Sequence, residues 1–444
     1  MKLKAALLAA LAAFCLRLAL WSRLQPFDQA WLRPDSAGYL ELAKELRHGR
    51  FSAMTPAGLA PEANRTPVYP FFLSLHGPLL EQPRWPALSQ IAIDAASAGL
   101  IAASAGMLGA PALAAGLIYA LDPVVAGHSL LILTETLFTF WLVLSLFALT
   151  RGGPEKIPWL AISGLSLGAA ALTRPIAAYL WLPWVIALYW AWGRRARRAL
   201  AIFALCAVAL PALWCGRNAL VFGRFRLSMI SGLNLFYWEA PAVLAASEGI
   251  SFGEALAKLI ADFERTHPSR PSSDPFAESD LRSAFALDVM RSHPARVAQV
   301  HAAAAVKLWL GPGLDLVAEQ LWPGERLDKI ESSAHGVTGR GTLFLMRQRP
   351  ALRWWLAAIM AWLAGCYLLA ALGLRALLRN HGAAFAASWL TPLAYLALLS
   401  TGGWCYYRFR VPLWPAIALL AAAGLSAAGL SRRSSAPSDG RRSP

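Results

Sequence analysis

The sequence predicts an all-α polytopic membrane protein, a bundle of about ten transmembrane helices with outer-side loops and a mostly helical extracytoplasmic region. Two observations concern composition: 57% of the 444 residues are hydrophobic and only 15% are charged. Soluble domains carry about 25% charged residues, so this composition excludes a soluble enzyme. It equally excludes a disordered chain, because such chains are poor in apolar residues.

The third observation is the length of the apolar runs, which match the roughly 20 residues that a helix needs to cross a bilayer. Read in order, they predict ten spans: 4–21, 87–108, 111–128, 130–149, 157–173, 175–192, 199–221, 353–374, 383–400 and 411–430. The first run follows Lys2 and Lys4 like a signal peptide. No small-residue cleavage site follows it, so it is predicted to remain as a span.

The charge distribution orients these spans. Lys and Arg number 41 against 25 Asp and Glu, a net charge of +16, which in a soluble protein would point to nucleic acid. Here the basic clusters follow alternate spans, as cytoplasmic loops do. They are Arg151 with Lys156, Arg194 to Arg198, Arg375 with Arg379, and Arg432 to Arg442. We therefore predict a bilayer rather than nucleic acid as partner, with both termini cytoplasmic.

This orientation divides the chain into modules. Residues 1–221 form an N-terminal module of seven spans, whose first outer loop covers 22–86. Residues 222–352 form an extracytoplasmic region, 353–430 a module of three spans, and the Ser/Arg/Pro-rich tail 431–444 is predicted to be disordered. The five cysteines lie in or beside apolar runs without a CxxC pattern, so neither disulfides nor a metal site is predicted from them.

One segment of the extracytoplasmic region has two interpretations. Arg296, Gln299, His301 and Lys307 interrupt the apolar run 296–310, which favours an amphipathic helix lying in the interface. If the segment crossed the membrane instead, every later span would be reversed and the basic loops would face outward. We prefer the interfacial helix for that reason.

The first outer loop carries an acid at the start of an amphipathic stretch. Asp35 precedes Tyr39 by four residues. One interpretation makes Asp35 the N-cap of a helix; the other makes it a general base at the boundary between water and lipid. The two are compatible, because a capping carboxylate is also a positioned one.

The same loop then approaches the membrane through Arg65 and Tyr69. Pro67 and Pro70 restrict the backbone there, and a guanidinium at this height suits a phosphate. The alternative is an arginine that merely snorkels to the interface.

A second acid, Glu135, opens the long apolar run after the third predicted span. An ionisable group in or beside a span indicates function by default. The alternative is a partner for the positive end of a helix dipole.

Arginines recur at the outer-side boundaries, where orientation does not require them. Snorkelling explains any one of them, but the set together suggests an anionic ligand. The set is Arg65, Arg174, Arg217 (followed by Asn218), Arg408 and Arg410.

Together these residues resemble the GT-C superfamily of membrane glycosyltransferases, and most closely glycosyltransferase family 39, the branch of protein O-mannosyltransferases and lipid A aminoarabinose transferases. The family's Asp-Glu-x-x-Tyr motif is similar to Asp35 to Tyr39, with Ser36 in place of the second acid. Its basic-x-Pro-x-Tyr segment is similar to Arg65 to Tyr69, and its second outer-loop acid to Glu135.

The later segments of the resemblance are Thr173 to Pro175, Arg217-Asn218 with Phe222-Gly223, and Arg408 to Pro412; in all, it covers residues 1 to about 430. It implies transfer, with inversion, of a sugar from a polyprenyl-phosphate donor to an envelope glycolipid, glycan or protein acceptor. The expected setting is the periplasmic face of a bacterial inner membrane.

The resemblance also implies roles. Asp35 would take the acceptor proton, and Glu135 would orient the acceptor or help to hold a cation. The five boundary arginines would bind the donor phosphate, while Tyr39, Tyr69 and Asn218 would position substrate. A divalent cation is compatible with this chemistry, but no His/Asp/Glu cluster has ligand spacing, so no cofactor is predicted.

Two other functions fit some of these residues. A flippase or transporter of lipid-linked sugars would use the same cations, although paired broken helices are not evident in the two halves. A non-catalytic membrane scaffold would leave Asp35 and the outer arginines without a purpose. Release of polyprenyl phosphate by purified protein separates an enzyme from both alternatives.

Overall fold

The computed structural model describes residues 2–25, 27–55, 58–267, 274–323 and 346–429, and these are almost entirely helical. The predicted all-α fold is thereby confirmed, while the tail 431–444 lies outside the described residues. The α-helices are α1 Lys2–Leu24, α2 Pro34–Arg47, α3 Val68–Ser74, α4 Arg84–Met107, α5 Ala112–Ala120, α6 Pro123–His128, α7 Glu135–Gly152, α8 Ile157–Thr173, α9 Trp181–Trp192, α10 Arg197–Phe222, α11 Ile230–Asn234, α12 Ala240–Glu248, α13 Phe252–Thr266, α14 Pro275–Ser292, α15 Pro294–Leu310, α16 Leu314–Leu321, α17 Leu352–Ser400 and α18 Trp414–Ala427.

Shorter elements join these helices. The 3-10 helices are Asp28–Trp31, Gly77–Glu81, Pro175–Ala177, Arg194–Ala196 and Tyr407–Leu413, and a π-helical turn covers Leu235–Glu239. In the described part of the chain, the strands are β1 Ser52–Thr55 and β2 Gly58–Pro61, which pair antiparallel with Ser52 opposite Pro61.

Six helices among the described residues are long and apolar enough to cross a membrane. They are Leu3–Leu24, Arg84–Met107, Pro175–Trp192, Arg194–Phe222, Leu352–Ser400 and Tyr407–Ala427. The 49-residue helix contains both predicted spans 353–374 and 383–400, which meet at a break where Gly382 has φ +80°. Helix α8 is apolar but has only 17 residues.

The predicted span 111–128 is not one helix. It divides into α5 and α6, because Pro123 occupies the first turn of α6 and the Asp122 carboxylate caps it. Oδ1 of Asp122 accepts the backbone N–H groups of Val124 and Val125 at 3.1 and 2.9 Å. A buried acid that caps a helix in this way ends the preceding apolar helix.

Helix α7 begins later than the predicted start at residue 130, because other elements hold residues 129–133 outside the helix. The Gln90 side chain of α4 donates to the carbonyls of Ser129 and Leu131 at 3.3 and 2.6 Å. The Trp31 carbonyl accepts the N–H of Ile132 at 2.9 Å. These bonds pair backbone groups of a buried, non-helical linker. They fix Glu135 as the first residue of α7.

A buried ion pair ties α1 to α4 and α5. Nε of Arg17 donates to Oδ2 of Asp94 at 2.7 Å, with side chains 0% and 2% exposed. The Tyr119 hydroxyl donates to Oδ1 of the same carboxylate at 2.6 Å, and Arg17 also donates to the carbonyl of Ala120. Such pairing is what a charge in this apolar setting requires.

Glycines allow α17 and α18 to pack closely. A Cβ on Gly373 would lie 1.9 Å from the Leu420 carbonyl oxygen, and one on Gly424 would lie 1.9 Å from the Leu369 oxygen. Small residues that let two backbones approach are typical of helix pairs in membranes. The pair is continuous with the largest buried cluster, which also includes residues of α4 and α5.

The predicted extracytoplasmic region 222–352 is helical where it is described, from α11 to α16. Its own small core includes Phe236, Leu259, Phe263 and Ala286. Helix α15 covers the segment 296–310, so that segment is a helix. Its position in the interface stays a prediction.

Candidate active site

Five of the predicted site residues meet at one end of the helix bundle. They come from four separate parts of the chain and form a connected group of two carboxylates and three guanidinium groups. The group is Asp35, Arg65, Glu135, Arg174 and Arg408. We call it the charged cluster.

Glu135 is the buried centre of this cluster. Its side chain is 0% exposed, and its Oε1 accepts from Nη1 of Arg174 and from Nε of Arg408. Arg174 reaches it because α8 ends at Thr173 and the following Pro175 favours extended backbone. Arg174 accordingly has φ −141° and ψ 118°.

Arg408 connects the buried acid to the accessible one. It lies in the 3-10 helix Tyr407–Leu413 that precedes α18. While its Nε binds Glu135, its Nη1 donates to Oδ2 of Asp35 at 3.3 Å and to the Tyr406 hydroxyl oxygen at 3.4 Å. One planar guanidinium therefore bridges two carboxylates, which a lysine ammonium does not match in geometry.

Asp35 is not the N-cap that one interpretation of the sequence predicts. Helix α2 begins at Pro34 with Arg33 as its N-cap residue, so Asp35 lies within the first turn. A proline at the first position is favourable there, and the helix starts two residues earlier than it would with Asp35 as the N-cap. The Asp35 side chain is 51% exposed and does not cap the helix.

Ser36 is the residue that fastens α2 to the linker before Glu135. It is fully buried, accepts the N–H of Arg33 at 2.9 Å and donates to the Ile132 carbonyl at 2.8 Å. An ionised carboxylate has no proton to donate to that carbonyl. The serine at this motif position is therefore matched to a structural bond rather than to a second acid.

Arg65 lies against α2 because Gly38 leaves space for its guanidinium and the Tyr39 ring supports it. A Cβ on Gly38 would lie 2.9 Å from Nη2 of Arg65, so a larger residue would displace the end of the arginine side chain. The guanidinium lies 4.1 Å from the centre of the Tyr39 ring, a cation–π geometry. Its Nη1 donates to the Asp35 backbone carbonyl at 3.1 Å, and its Nη2 lies 4.0 Å from Oδ1 of Asp35.

Tyr39 and Tyr69 form the floor below Arg65. Their rings meet edge to face at 5.0 Å, and the buried Tyr69 hydroxyl donates to Oε1 of Gln90 at 2.7 Å. Burial raises the pKa of the Tyr39 phenol, while the Arg65 guanidinium opposes this shift. Both phenols therefore stay protonated and serve the site by packing and hydrogen bonding.

Arg217 and Asn218 lie outside the charged cluster. Nη1 of Arg217 donates to the Glu62 carbonyl at 2.9 Å and to Oδ1 of Asn218 at 2.8 Å, and Nη2 reaches the Phe51 carbonyl at 3.3 Å. Asn218 in turn donates to the Arg226 carbonyl at 2.7 Å. These bonds fasten the first loop to the end of α10. Backbone carbonyls therefore engage both Arg217 and Asn218.

Arg410 also points away from the cluster. It is 1% exposed, and its Nη1 donates to the carbonyls of Leu308, Trp309 and Gly311 at 3.2, 3.1 and 2.9 Å. It thus satisfies carbonyls at the C-terminal end of α15, a favourable place for a cation. Its side chain is buried, whereas Arg65 and Asp35 remain accessible.

The charged cluster and the basic loops lie at opposite ends of the bundle. Helix α7 starts at Glu135 and α8 ends beside it at Arg174, so Arg151 and Lys156 lie at the far ends of this antiparallel pair. The cluster end therefore holds acids paired with arginines, whereas the loop between α7 and α8 holds Arg151 and Lys156 with one acid, Glu155. This polarity is what the positive-inside rule predicts for a protein in a membrane.

Ser36, Gly38 and Gln90 contribute to the site without having been predicted as site residues. Ser36 and Gly38 lie inside the Asp35–Tyr39 motif, where a fixed spacing was the available signal. Gln90 carried a weaker one, a polar amide within an apolar run. Its partners on residues 129 and 131 are far away in sequence, so their identity could not be inferred.

Comparisons with known proteins add a likeness in structure only. The sequence matches no family model, and no curated protein matches it. Among solved structures, the apo oligosaccharyltransferase of Archaeoglobus fulgidus aligns over 96% of this chain at 13% identity, with a TM-score of 0.50. This chain covers 50% of that protein, so it spans half its length.

Two further structures align at lower scores. ArnT from Cupriavidus metallidurans bound to undecaprenyl phosphate is 15% identical, with a TM-score of 0.38, over 93% of this chain and 77% of ArnT. The Archaeoglobus fulgidus oligosaccharyltransferase AglB, in complex with an inhibitory peptide and a dolichol-phosphate, is 14% identical, with a TM-score of 0.49, over 96% of this chain and 50% of AglB. The first of the three likenesses, with a TM-score of 0.50 at 13% identity, shows a shared fold alone.

Proposed function

We propose, from the GT-C membrane glycosyltransferase fold that this chain has, that it is an inverting glycosyltransferase using a lipid-linked donor. The observation that carries the proposal is the half-exposed Asp35 carboxylate, bonded to Arg408 and adjacent to Arg65. An accessible base beside two cations at the end of a membrane bundle suits a reaction whose leaving group is an anion on a lipid.

The proposed reaction is a single displacement at the anomeric carbon of the donor sugar. The acceptor oxygen or nitrogen forms a bond to that carbon, while the carbon–oxygen bond to the lipid phosphate breaks. Asp35 takes the proton of the acceptor, and the bond electrons leave with the phosphate. General-base help of this kind contributes about 10²–10⁴-fold.

The arginines support this chemistry by charge. Negative charge grows on the phosphate oxygen as the bond breaks, and fixed cations in a poorly hydrated site stabilise such charge strongly. Arg65 and Arg408 are the candidates for contact, since both neighbour Asp35 and remain partly exposed, at 22% and 12%. Arg217 and Arg410 serve by positioning, because backbone carbonyls already engage them. Arg174 is assigned to positioning because it pairs with Glu135 and, unlike Arg65 and Arg408, makes no ion pair with Asp35 among the described residues.

The finer assignment rests on the motifs described in the sequence. We propose a polyprenyl-phosphate sugar as donor, an envelope glycolipid, glycan or protein as acceptor, and membership of family 39. We also propose that the site faces the periplasm from a bacterial inner membrane. The undecaprenyl phosphate and dolichol-phosphate bound to the two structural neighbours are consistent with a lipid phosphate as leaving group.

The test measures release of polyprenyl phosphate from a polyprenyl-phosphate sugar by the purified protein in detergent, with an acceptor extract present. We expect turnover by the native chain and a loss of about 10²-fold or more for Asp35→Asn. Asp288→Asn is the matched control, because that carboxylate is 76% exposed on α14 and far from the cluster in sequence. A flippase or scaffold would release no polyprenyl phosphate. Native activity in Asp35→Asn would refute the assignment of Asp35 as the general base.

A further inference from the structure

The most specific feature of the charged cluster is how its two carboxylates are joined. Arg408 contacts Glu135 through Nε and Asp35 through Nη1, so its guanidinium lies between the two acids. In a site that uses a divalent cation, paired carboxylates are the usual ligands for it. Here the position that such an ion would occupy is filled by a side chain of the protein.

The remaining donor atoms do not complete a metal site. Divalent cations such as Mg²⁺ require about six oxygen ligands, partly from water, and no group of three His, Cys, Asp or Glu residues with suitable geometry exists in the described parts of the chain. Oε1 of Glu135 already accepts two guanidinium groups, while Oε2 is enclosed away from solvent and unbonded among the described atoms.

The local charge opposes a metal ion as well. Three guanidinium groups, those of Arg65, Arg174 and Arg408, face the two carboxylates of Asp35 and Glu135. The cluster therefore already carries excess positive charge, and a divalent cation would add repulsion in a poorly hydrated place. The buried Ser36, bonded to the Ile132 carbonyl, supplies no further carboxylate.

We infer that the Arg408 guanidinium, anchored on Glu135, takes the place of a divalent cation between the two carboxylates, so that the donor phosphate is met by arginine alone. This inference deepens the proposed function and rests on it. Glu135 is then a positioning residue: it holds Arg174 and Arg408 and contacts neither acceptor nor metal. Asp35 keeps its exposed oxygen for the acceptor proton.

The experiment uses the purified full chain after dialysis against a chelator, with Mn²⁺ as the probe. Mn²⁺ binding is followed by electron paramagnetic resonance for the native chain, Asp35→Asn and the control Asp288→Asn. We expect the native chain and Asp35→Asn to bind Mn²⁺ equally, since no ion depends on Asp35. One equivalent bound by the native chain and lost in Asp35→Asn would overturn the inference.

Turnover supplies the second arm. A cation that polarised the leaving phosphate would make activity fall by ~10²-fold or more on chelation, whereas we expect equal polyprenyl phosphate release in chelator and in excess Mn²⁺. Release that requires Mn²⁺ would overturn the inference while leaving the glycosyltransferase proposal intact. Absence of release in both conditions would refute the proposed function, and the binding arm would still decide the metal question.

Discussion

At the scale of single residues, the charged cluster shows why arginine rather than lysine is used. Arg408 presents Nε to one acid and Nη1 to another, and its planar fork fixes the direction of each donor, whereas the donors of a lysine ammonium rotate freely. Arg174 shares Glu135 from the other side. Glu135, which has no exposure, therefore fixes the two arginines, and Asp35 is the carboxylate of the pair that solvent reaches.

Replacing Glu135 by Gln tests that role directly. The substitution keeps the size of the side chain but removes the carboxylate that pairs with the mostly buried Arg174, and it leaves Arg408 with Asp35 as its counter-charge. Removing one partner of a buried ion pair costs about 3–5 kcal/mol, so we expect a clear fall in the thermal midpoint in detergent. The measurement is a melting curve of the purified protein.

Glu248→Gln is the matched control for this change. Glu248 pairs with Lys258 on the surface, where the two side chains are 35% and 48% exposed. Exposed pairs of this kind contribute about 0–1 kcal/mol, so the control should melt near the native protein. Equal melting temperatures for the two variants would contradict the anchoring role of Glu135.

The residues predicted from the sequence divide according to how their partners are placed. Asp35, Tyr39 and Arg65 could be predicted because short motifs carry them and because their chemistry suits a phosphate. The function of Ser36 could not, since its partner Ile132 lies 96 residues away. Arg410 was predicted to bind donor phosphate on its residue type and position, but its side chain turns inward to carbonyls of α15.

At the scale of elements, the 3-10 helix Tyr407–Leu413 carries two arginines that have different partners. Arg408 points to the charged cluster, while Arg410 binds the carbonyls that end α15. A tight 3-10 turn places residues two apart on different sides. Arg410 therefore fastens this element to the C-terminal end of α15, while Glu135 holds Arg408.

This arrangement predicts different defects for Arg410→Gln and Arg65→Gln. Arg410→Gln should lower the thermal midpoint, because buried carbonyls lose a charged donor, and leave the donor KM of the folded fraction unchanged. Arg65→Gln should raise the donor KM with little change in melting, since its side chain is partly exposed. A raised donor KM in folded Arg410→Gln would instead indicate that this residue binds the phosphate.

Helix α13 carries a pH-dependent start. Its N-cap Ser251 and Glu254 form a capping box in which the Ser251 N–H donates to Oε2 of Glu254 at 2.8 Å. This backbone bond lowers the pKa of Glu254 below its ordinary value of 4.5. Because the folded pKa is the lower one, the stabilisation is present above 4.5 and is lost as the pH falls through the folded value.

We therefore expect Glu254→Gln to reduce hydrogen-exchange protection of the α13 amides at neutral pH. The difference from the native chain should vanish in acid, where Glu254 is protonated in both states. Protection factors, corrected for the intrinsic exchange rate at each pH, measure this. A difference that persists unchanged into acid would show that the Glu254 charge plays no part in the cap.

The elements themselves were predictable where a long apolar run contains no proline. The predicted spans 4–21 and 87–108 correspond to α1 and α4. The run 111–128 misled, because apolar composition hides the cap formed by Asp122 and Pro123. The late start of α7 depends on bonds from Gln90 and Trp31, which are tertiary and leave no local pattern.

At the scale of the whole molecule, the fold separates the charged cluster from the basic loop between α7 and α8. The antiparallel order of α7 and α8 places Glu135 and Arg174 at one end and Arg151 and Lys156 at the other. Composition and alternation of basic loops sufficed to predict this polarity, because both are properties of the chain at large. The convergence of five cluster residues required the packed structure.

The orientation of the molecule in its membrane is the remaining consequence of that polarity. We expect Thr55→Cys, at an exposed position in the first loop, to react with a membrane-impermeant thiol reagent on intact bacterial cells whose outer membrane is permeabilised. Arg195→Cys, exposed in the basic turn before α10, should react only after lysis. The unsubstituted chain, with its five native cysteines, supplies the background signal for both. Labelling of Arg195→Cys but not Thr55→Cys in intact cells would place the charged cluster on the cytoplasmic side, where a lipid-linked donor on the outer leaflet could not reach Asp35.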